Sequence, residues 1–411
     1  MTMKTLTPTP ELINKILNRY KTPEYPCVPT TQIINEFNRL TIDKYIEPNK
    51  LNDEETEFVY NDTKSLFYCI FHSPLKEVEL SYWQSHRFYH GINHLEELFS
   101  LIELFKEYFS KDFIVNLQLV ALFHDAVYNP KSDTNELDSA LLFKKCVEDV
   151  SNQKMHVHKN ALIFEEIFQA ILDTKTKEPK SELSKVFCAL DMFVISHYSF
   201  EKLLAYEHQI FKEYQHIPYS LYKIGRIDVL QRFNDIYKRP EIEHLIEYIK
   251  FRIPRVGVYA GSFRPFHIGH HFILKKSESM FDKVIIARGV NPDKPNNNDF
   301  LTNLEEVFPY HQTIEFNGYL YDFMSYLRET GIEPYLIRGL RNEDDFKFEL
   351  MQDFFNEHRY SQKRYKSSKN LPMNTVSVFC RSDLAHISSS AIRTMEKIEP
   401  GSAEKFIYKH E

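Results

Sequence analysis

Glycine divides this chain in two. Gly91 and Gly225 are the only glycines before residue 250, and the other eight of the ten run from Gly257 to Gly401. Tight turns and close backbone approaches rely on glycine. The first part is therefore expected to be helical with few such turns, and the second to alternate strands, turns and helices. Pro240 and Pro254 punctuate the junction at 238–254. A chain of 411 residues is long for one core, so two domains are the default. The expected organisation is a helical extension over 1–55, an all-α domain over 56–240, a linker over 241–254 and an α/β domain over 255–411.

The bulk properties exclude several classes. A hydrophobic fraction of 43% and a charged fraction of 27% are those of an ordinary soluble protein. The formal net charge of -7 argues against nucleic acid as a partner held by bulk electrostatics. Lys, Glu or Asp interrupts every apolar run before it reaches membrane-spanning length, and the N-terminus lacks the apolar core of a signal peptide. The 5 cysteines are scattered, with no Cys-x-x-Cys pair, and read as reduced residues of a cytoplasmic protein.

In the second part, apolar strand candidates recur at 255–260, 283–288, 313–316, 334–338 and 375–380. Helical patterns separate them at 268–281, 320–330 and 343–357. That alternation implies a doubly wound parallel sheet. The first strand runs straight into Gly261-Ser262-Phe263-Arg264-Pro265-Phe266-His267-Ile268-Gly269-His270. A strand's carboxyl end, free backbone N–H groups and a helix N-terminus meet there, and such a junction binds phosphates. Imidazole donors at His267 and His270 add to the preference for anions.

This segment is similar to the nucleotide-binding signature of the nucleotidyltransferase superfamily, whose fold is Rossmann-like. Together with Ile337-Arg338-Gly339-Leu340-Arg341, Asp345-Phe346-Lys347-Phe348-Glu349 and Ile387-Ser388-Ser389-Ser390, it resembles the phosphopantetheine adenylyltransferase family over essentially all of 255–411. The resemblance implies transfer of the adenylyl group of ATP, with Mg²⁺, onto a small phosphate-bearing acceptor, 4'-phosphopantetheine, giving dephospho-coenzyme A and pyrophosphate. It implies that His270, Lys294 and Arg338 are catalytic. Nucleotide or substrate binding would add Gly261, Ser262, Phe263, His267, Gly339, Arg341, Glu349, Ser388, Ser389 and Ser390. Two departures stand out. Arg264 replaces an acidic residue of the family pattern, and the stretch from Thr302 to Asn317 is shorter, so its helix is expected to lose a turn. A homo-oligomer is an open expectation.

The first part carries Arg87-Phe88-Tyr89-His90-Gly91-Ile92-Asn93-His94, then Leu122-Phe123-His124-Asp125, then Leu190-Asp191. His90 and His94 at i, i+4 are expected to share a helix face. His124-Asp125 is expected near the end of a helix from Phe113 to Tyr128. Mixed nitrogen and oxygen donors suit Mg²⁺, Mn²⁺, Fe or Zn²⁺. The set resembles the HD phosphohydrolase superfamily. That resemblance implies a divalent metal on His124, Asp125 and Asp191 with either His90 or His94, and on one analogy His94 binds metal while His90 protonates the leaving oxygen. Lys177 stands where the group tends to have histidine.

Singly, each motif is as common in plain packing as in a site. Jointly, they point to a bifunctional enzyme, a transferase following a metal-dependent phosphohydrolase of unknown substrate. Two alternatives remain open at this point. The transferase would act on another acceptor such as nicotinamide mononucleotide or a cytidylyl acceptor, and the helical domain would be a non-catalytic metal- or nucleotide-binding regulatory module.

Overall fold

Leu95, Leu98, Leu101 and Ile102 recur at helical spacing, and helix α1 (Ile92–Leu104) buries all four. The computed structural model describes residues 78, 80–152, 163–290, 300–364 and 372–409. The extension expected over 1–55 and Lys294 lie outside the described residues. Contacts divide the chain between Tyr198 and Ser199 into two units.

In the first unit α1 is followed by α2 (Lys111–Phe123), α3 (Asn135–Asn152), α4 (Phe164–Thr176), α5 (Glu182–Asp191) and α6 (Phe193–His197). Among the described residues of this unit, all regular structure is helical. Leu98, Leu117, Val120, Phe123, Ile167, Ile171 and Phe187 are core. Serines start two of the helices. Ser110 Oγ accepts from Phe113 N–H at 3.2 Å, and Ser181 Oγ accepts from Ser184 N–H at 3.0 Å.

Two local expectations are corrected. Helix α1 begins only at Ile92, after Gly91, so His90 sits in the preceding turn and shares no helix face with His94. A Cβ on Gly91 would come within 3.1 Å of the Arg87 carbonyl oxygen, a close approach that glycine permits. Helix α2 stops at Phe123, before Tyr128. Beyond it the backbone groups take other partners: the carbonyls of Asp125 and Ala126 accept from Arg87 at 2.5 and 3.0 Å, and the Val127 N–H donates to Ser139 Oγ at 3.0 Å.

The second unit opens with α7 (Phe200–Glu213), α8 (Tyr219–Tyr237) and α9 (Pro240–Phe251). Residues 199–240 were expected with the preceding helices, yet contacts group them with the sheet that follows. The segment expected as a linker, 241–254, is largely α9, with Ile242, Leu245, Ile246 and Ile249 buried. Polar ties hold these helices to the sheet. Lys283 Nζ donates to the Ile217 carbonyl at 2.7 Å and to Gln312 Oε1 at 2.6 Å, and burial pushes this amine down to about 7. Backbone N–H of Val284 donates to Gln215 Oε1 at 3.3 Å.

A buried charge pair fastens α7 to α8. Glu207 has no exposed surface, accepts from Arg226 Nε at 2.7 Å and from the Tyr222 hydroxyl at 2.7 Å. Arg226→Met leaves that carboxylate buried without its cation, and the expected loss is about 3–5 kcal/mol of stability. Urea unfolding of the full chain measures it, and an unchanged midpoint would contradict the pair's role.

Then come β1 (Arg255–Gly261), α10 (Ile268–Glu278), β2 (Lys283–Val290), α11 (Leu304–Val307), β3 (Gln312–Asn317), α12 (Leu320–Glu329), β4 (Glu333–Leu340), α13 (Glu343–Arg364), β5 (Asn374–Phe379) and α14 (Ser389–Ile398). The five strands lie in the order β3-β2-β1-β4-β5, all parallel. Near-continuous apolar strands such as Val284-Ile285-Ile286-Ala287 suit a sheet covered on both faces. The chain leaves β1 in one direction for β2 and β3, then crosses back to β4 and β5. This Rossmann-like arrangement puts its switch point between β1 and β4, where an open α/β sheet offers a crevice. In the shortened stretch after Thr302, α11 keeps only four residues.

Candidate functional site

The crevice holds a cavity of about 500 Å³. Its floor is the carboxyl end of β1 (Ala260, Gly261) and of β4 (Ile337, Arg338, Gly339), and its rim carries Ser262, His270, Arg341, Ser388 and Ser390. Gly261 is required by a close approach, since a Cβ there would lie 2.8 Å from the Phe263 ring. Phe263 itself takes a left-handed φ of 47° and is buried against Tyr259 and Phe266.

His267 and His270 cap α10 reciprocally. The His270 N–H donates to His267 Nδ1 at 3.3 Å, the His267 N–H donates to His270 Nδ1 at 3.3 Å, and the rings stack 3.6 Å apart. Because each Nδ1 accepts, the neutral rings carry their hydrogen on Nε2. Both line the cavity, so both offer a donor at a helix N-terminus. Burial, and then Arg341, push His267 down to about 4. Burial, His267 and Arg341 hold His270 well below the usual histidine range.

A sign follows for stability. A histidine depressed in the fold takes up its proton first in the unfolded chain, so its contribution is complete above the unfolded value and falls as pH drops towards the folded one. Stability is expected to decline between about pH 6.5 and pH 4. His267→Asn, which keeps an acceptor for the cap, is expected to remove roughly 2–3 kcal/mol of that decline. Thermal unfolding across this pH range checks it, and equal slopes in the two proteins would refute the assignment.

Two arginines form the opposite wall. Arg338 Nη1 donates to the Ala260 carbonyl at 3.1 Å, and its Nε lies 2.8 Å from Glu349 Oε2. Arg341 makes a two-pronged pair with Asp345, at 2.8 and 2.7 Å. Ser388 caps α14 by accepting from the Ala391 N–H at 3.1 Å, Ser389 Oγ donates to the Pro265 carbonyl at 2.9 Å, and Ser390 Oγ accepts from Arg393 at 2.9 Å. Three segments far apart in sequence thus meet at one crevice.

A sequence model of the family described as cytidylyltransferase-like matches residues 258–395. The phosphopantetheine adenylyltransferase of Neisseria meningitidis serogroup C is 31% identical over 147 residues, 34% of this chain and 78% of that protein. The enzyme of the same name from Cytophaga hutchinsonii is 31% identical over 148 residues, covering 35% of this chain and 91% of its own length. The chain belongs to the phosphopantetheine adenylyltransferase family. Its second unit is the part that carries the likeness.

Within this adenylyltransferase fold, Arg264 is not among the residues that line the cavity; its carbonyl accepts from Arg393. Tyr259, Asp345 and Cys380 do line it and were not among the site residues expected from sequence, although Asp345 opened the motif that ends at Glu349. Only Asp345 left a signal there, its i, i+4 spacing from Arg341.

A second polar cluster lies in the first unit. His94 Nε2 is 3.3 Å from Asp191 Oδ1 and 3.9 Å from Asp125 Oδ2, and His124 Nε2 is 2.9 Å from Asp125 Oδ2 and 3.9 Å from Asp191 Oδ1. Both rings are buried, and both Nε2 atoms make no aligned hydrogen bond. His94, His124 and Asp125 present ligand atoms within 4.8 Å of one another. His90 is not in that group. Its ring stacks on Tyr128 at 4.5 Å, 6.1 Å from the His94 ring. Burial opposes charge on both Asp125 and His124, but each outweighs that for the other. Asp125 is held well below the carboxylate range and His124 is raised.

Arg87, the first residue of the motif that ends at His94 but without a role expected from sequence, fixes this cluster. Beyond the carbonyls of Asp125 and Ala126 it donates to that of His90 at 3.2 Å, and its guanidinium lies over the rings of Tyr82 and Tyr128. Lys177 Nζ pairs with Asp191 Oδ2.

Proposed function

We propose that the second unit transfers the adenylyl group of ATP to 4'-phosphopantetheine. An acceptor phosphate oxygen attacks the α-phosphorus, a P–O bond forms, the bond from that phosphorus to the bridging oxygen of the β-phosphate breaks, and pyrophosphate leaves. His270 and His267 donate from Nε2 to phosphoryl oxygens as charge builds on them. Arg338, Arg341, the hydroxyls of Ser388 and Ser390 and the amides that open α14 take the remaining phosphates, while Ser389, outside the cavity lining, keeps its hydroxyl on the Pro265 carbonyl. Ser262 and Gly261 bring the turn against the acceptor, and Gly339 lets the backbone approach. Lys294 adds a cation, and Glu349 holds Arg338 in place. Mg²⁺ accompanies ATP and neutralises the leaving pyrophosphate.

The observation that carries this reading is the reciprocal histidine cap, which leaves the hydrogen of each neutral ring on Nε2, with both rings lining the switch-point crevice. An assay of pyrophosphate release with ATP, Mg²⁺ and a panel of acceptors tests it. Phosphopantetheine is expected to be the best acceptor, and a higher rate with nicotinamide mononucleotide would overturn the choice.

We further infer that His94, His124, Asp125 and Asp191 hold one divalent metal for phosphate-ester hydrolysis. Four separations between their histidine and carboxylate donor atoms run from 2.9 to 3.9 Å, close enough for one ion to bridge, and both imidazole Nε2 atoms are buried beside the carboxylates. When bound, the ion acidifies water and polarises a phosphoryl oxygen. His90, whose ring lies 6.1 Å from that of His94, protonates the leaving oxygen in this reading.

A further inference from the structure

Asp191 presents its two oxygens to different partners. Oδ1 faces the histidines, 3.3 Å from His94 Nε2, whereas Oδ2 is taken by the ammonium of Lys177. Lys177 ends α4 in a left-handed conformation, φ 58°, with its N–H donating to the Asp173 carbonyl at 2.8 Å. Its side chain is 28% exposed against 11% for Asp191 and 1–2% for the two histidines. The Lys177 side chain is thus the most exposed of the four, and it brings its ammonium to the second oxygen of Asp191. Two-metal phosphate sites place a second cation about 3.5–4 Å from the first and join the two through shared ligands. Here the outer oxygen of Asp191 already carries a cation, built into the chain.

We propose that the Lys177 ammonium takes the place of a second metal ion: the cluster binds one divalent ion, and Lys177 serves as its other cation towards a phosphate group. The proposal rests on the metal reading above. Its physical consequences run in opposite directions. A fixed positive charge beside the metal weakens metal binding by repulsion and by engaging Asp191. The same charge strengthens the hold on a phosphate dianion, because the carboxylates of Asp125 and Asp191 cancel that of one divalent ion and leave the ammonium in excess. Lys177 acts as a specificity residue for anionic esters and as a brake on metal affinity.

The test uses the full chain, freed of metal, in three forms: wild type, Lys177→Asn and Lys177→Arg. Asparagine tolerates the left-handed backbone at this position, and arginine keeps the charge. Mn²⁺ binding is followed by the loss of the free-ion paramagnetic resonance signal, and inorganic phosphate binding to the Mn²⁺ form by calorimetry. Wild type is expected to bind one Mn²⁺ per first unit. Lys177→Asn is expected to bind Mn²⁺ about tenfold more tightly and phosphate about tenfold more weakly, with Lys177→Arg close to wild type in both. Phosphate bound by the second unit is a background common to all three. Two Mn²⁺ ions in the wild-type cluster, or affinities for Mn²⁺ and phosphate unchanged in Lys177→Asn, would overturn the role of Lys177 and leave the metal reading standing. No Mn²⁺ bound by any of the three overturns both.

Discussion

His270→Ala is expected to lower kcat for adenylyl transfer about a thousandfold while leaving the KM for ATP within a few-fold of wild type. Removing one preorganised donor to developing charge costs on the order of 10²–10³ in rate. His270 sits at the upper end because its depressed basicity keeps it neutral, with the Nε2 hydrogen fixed by the backbone contact at Nδ1. The variant also removes the acceptor for the His267 N–H, so the melting temperature is measured beside the rate. A full-rate, folded His270→Ala protein would remove the histidine from the reaction. A loss confined to KM would make it a ground-state binding residue instead.

The second large effect concerns the other unit. Asp125→Asn is expected to abolish Mn²⁺-supported release of orthophosphate from phosphate esters, by more than the roughly hundredfold that loss of an outer-sphere partner of a metal costs. Asp125 sits 2.9 Å from His124 Nε2 and supplies one of the two carboxylates of the cluster. Asparagine keeps the shape and removes the charge. Pyrophosphate release from ATP and phosphopantetheine is expected to be unchanged, since the residues proposed for that reaction all lie after residue 250. Orthophosphate release that survives in Asp125→Asn would locate hydrolysis elsewhere, and its absence in wild type would favour a regulatory metal- or nucleotide-binding role for the helical unit.

The α/β half was legible because its signals are local. Alternating apolar runs, glycine turns and a strand entering Gly261-Ser262-Phe263 each depend on neighbouring residues, and the strands observed lie within two residues of those expected. Helix ends were less legible. The Gly91 turn, packed on the Arg87 carbonyl, sets His90 off α1, and Arg87 draws carbonyls beyond α2 out of helical pairing through contacts across about forty residues. The grouping of residues 199–251 with the sheet was likewise hidden. The ties of Lys283 to Ile217 and of Val284 to Gln215 join positions 66 and 69 residues apart and exist only once the chain has folded.

Sequence alone determined the order of strands and helices after residue 250, the turn that lines the crevice and the list of histidines and carboxylates. Periodicity and turn chemistry are properties of short segments, so they survive without coordinates. Only the tertiary structure decided which of those residues meet. It placed His94 rather than His90 beside His124, Asp125 and Asp191. It set Lys177 on the outer oxygen of Asp191, and it fixed both imidazoles of α10 as Nε2 donors. Those outcomes turn on distances of a few ångströms between segments far apart in the chain, and such distances are set by packing rather than by any local pattern.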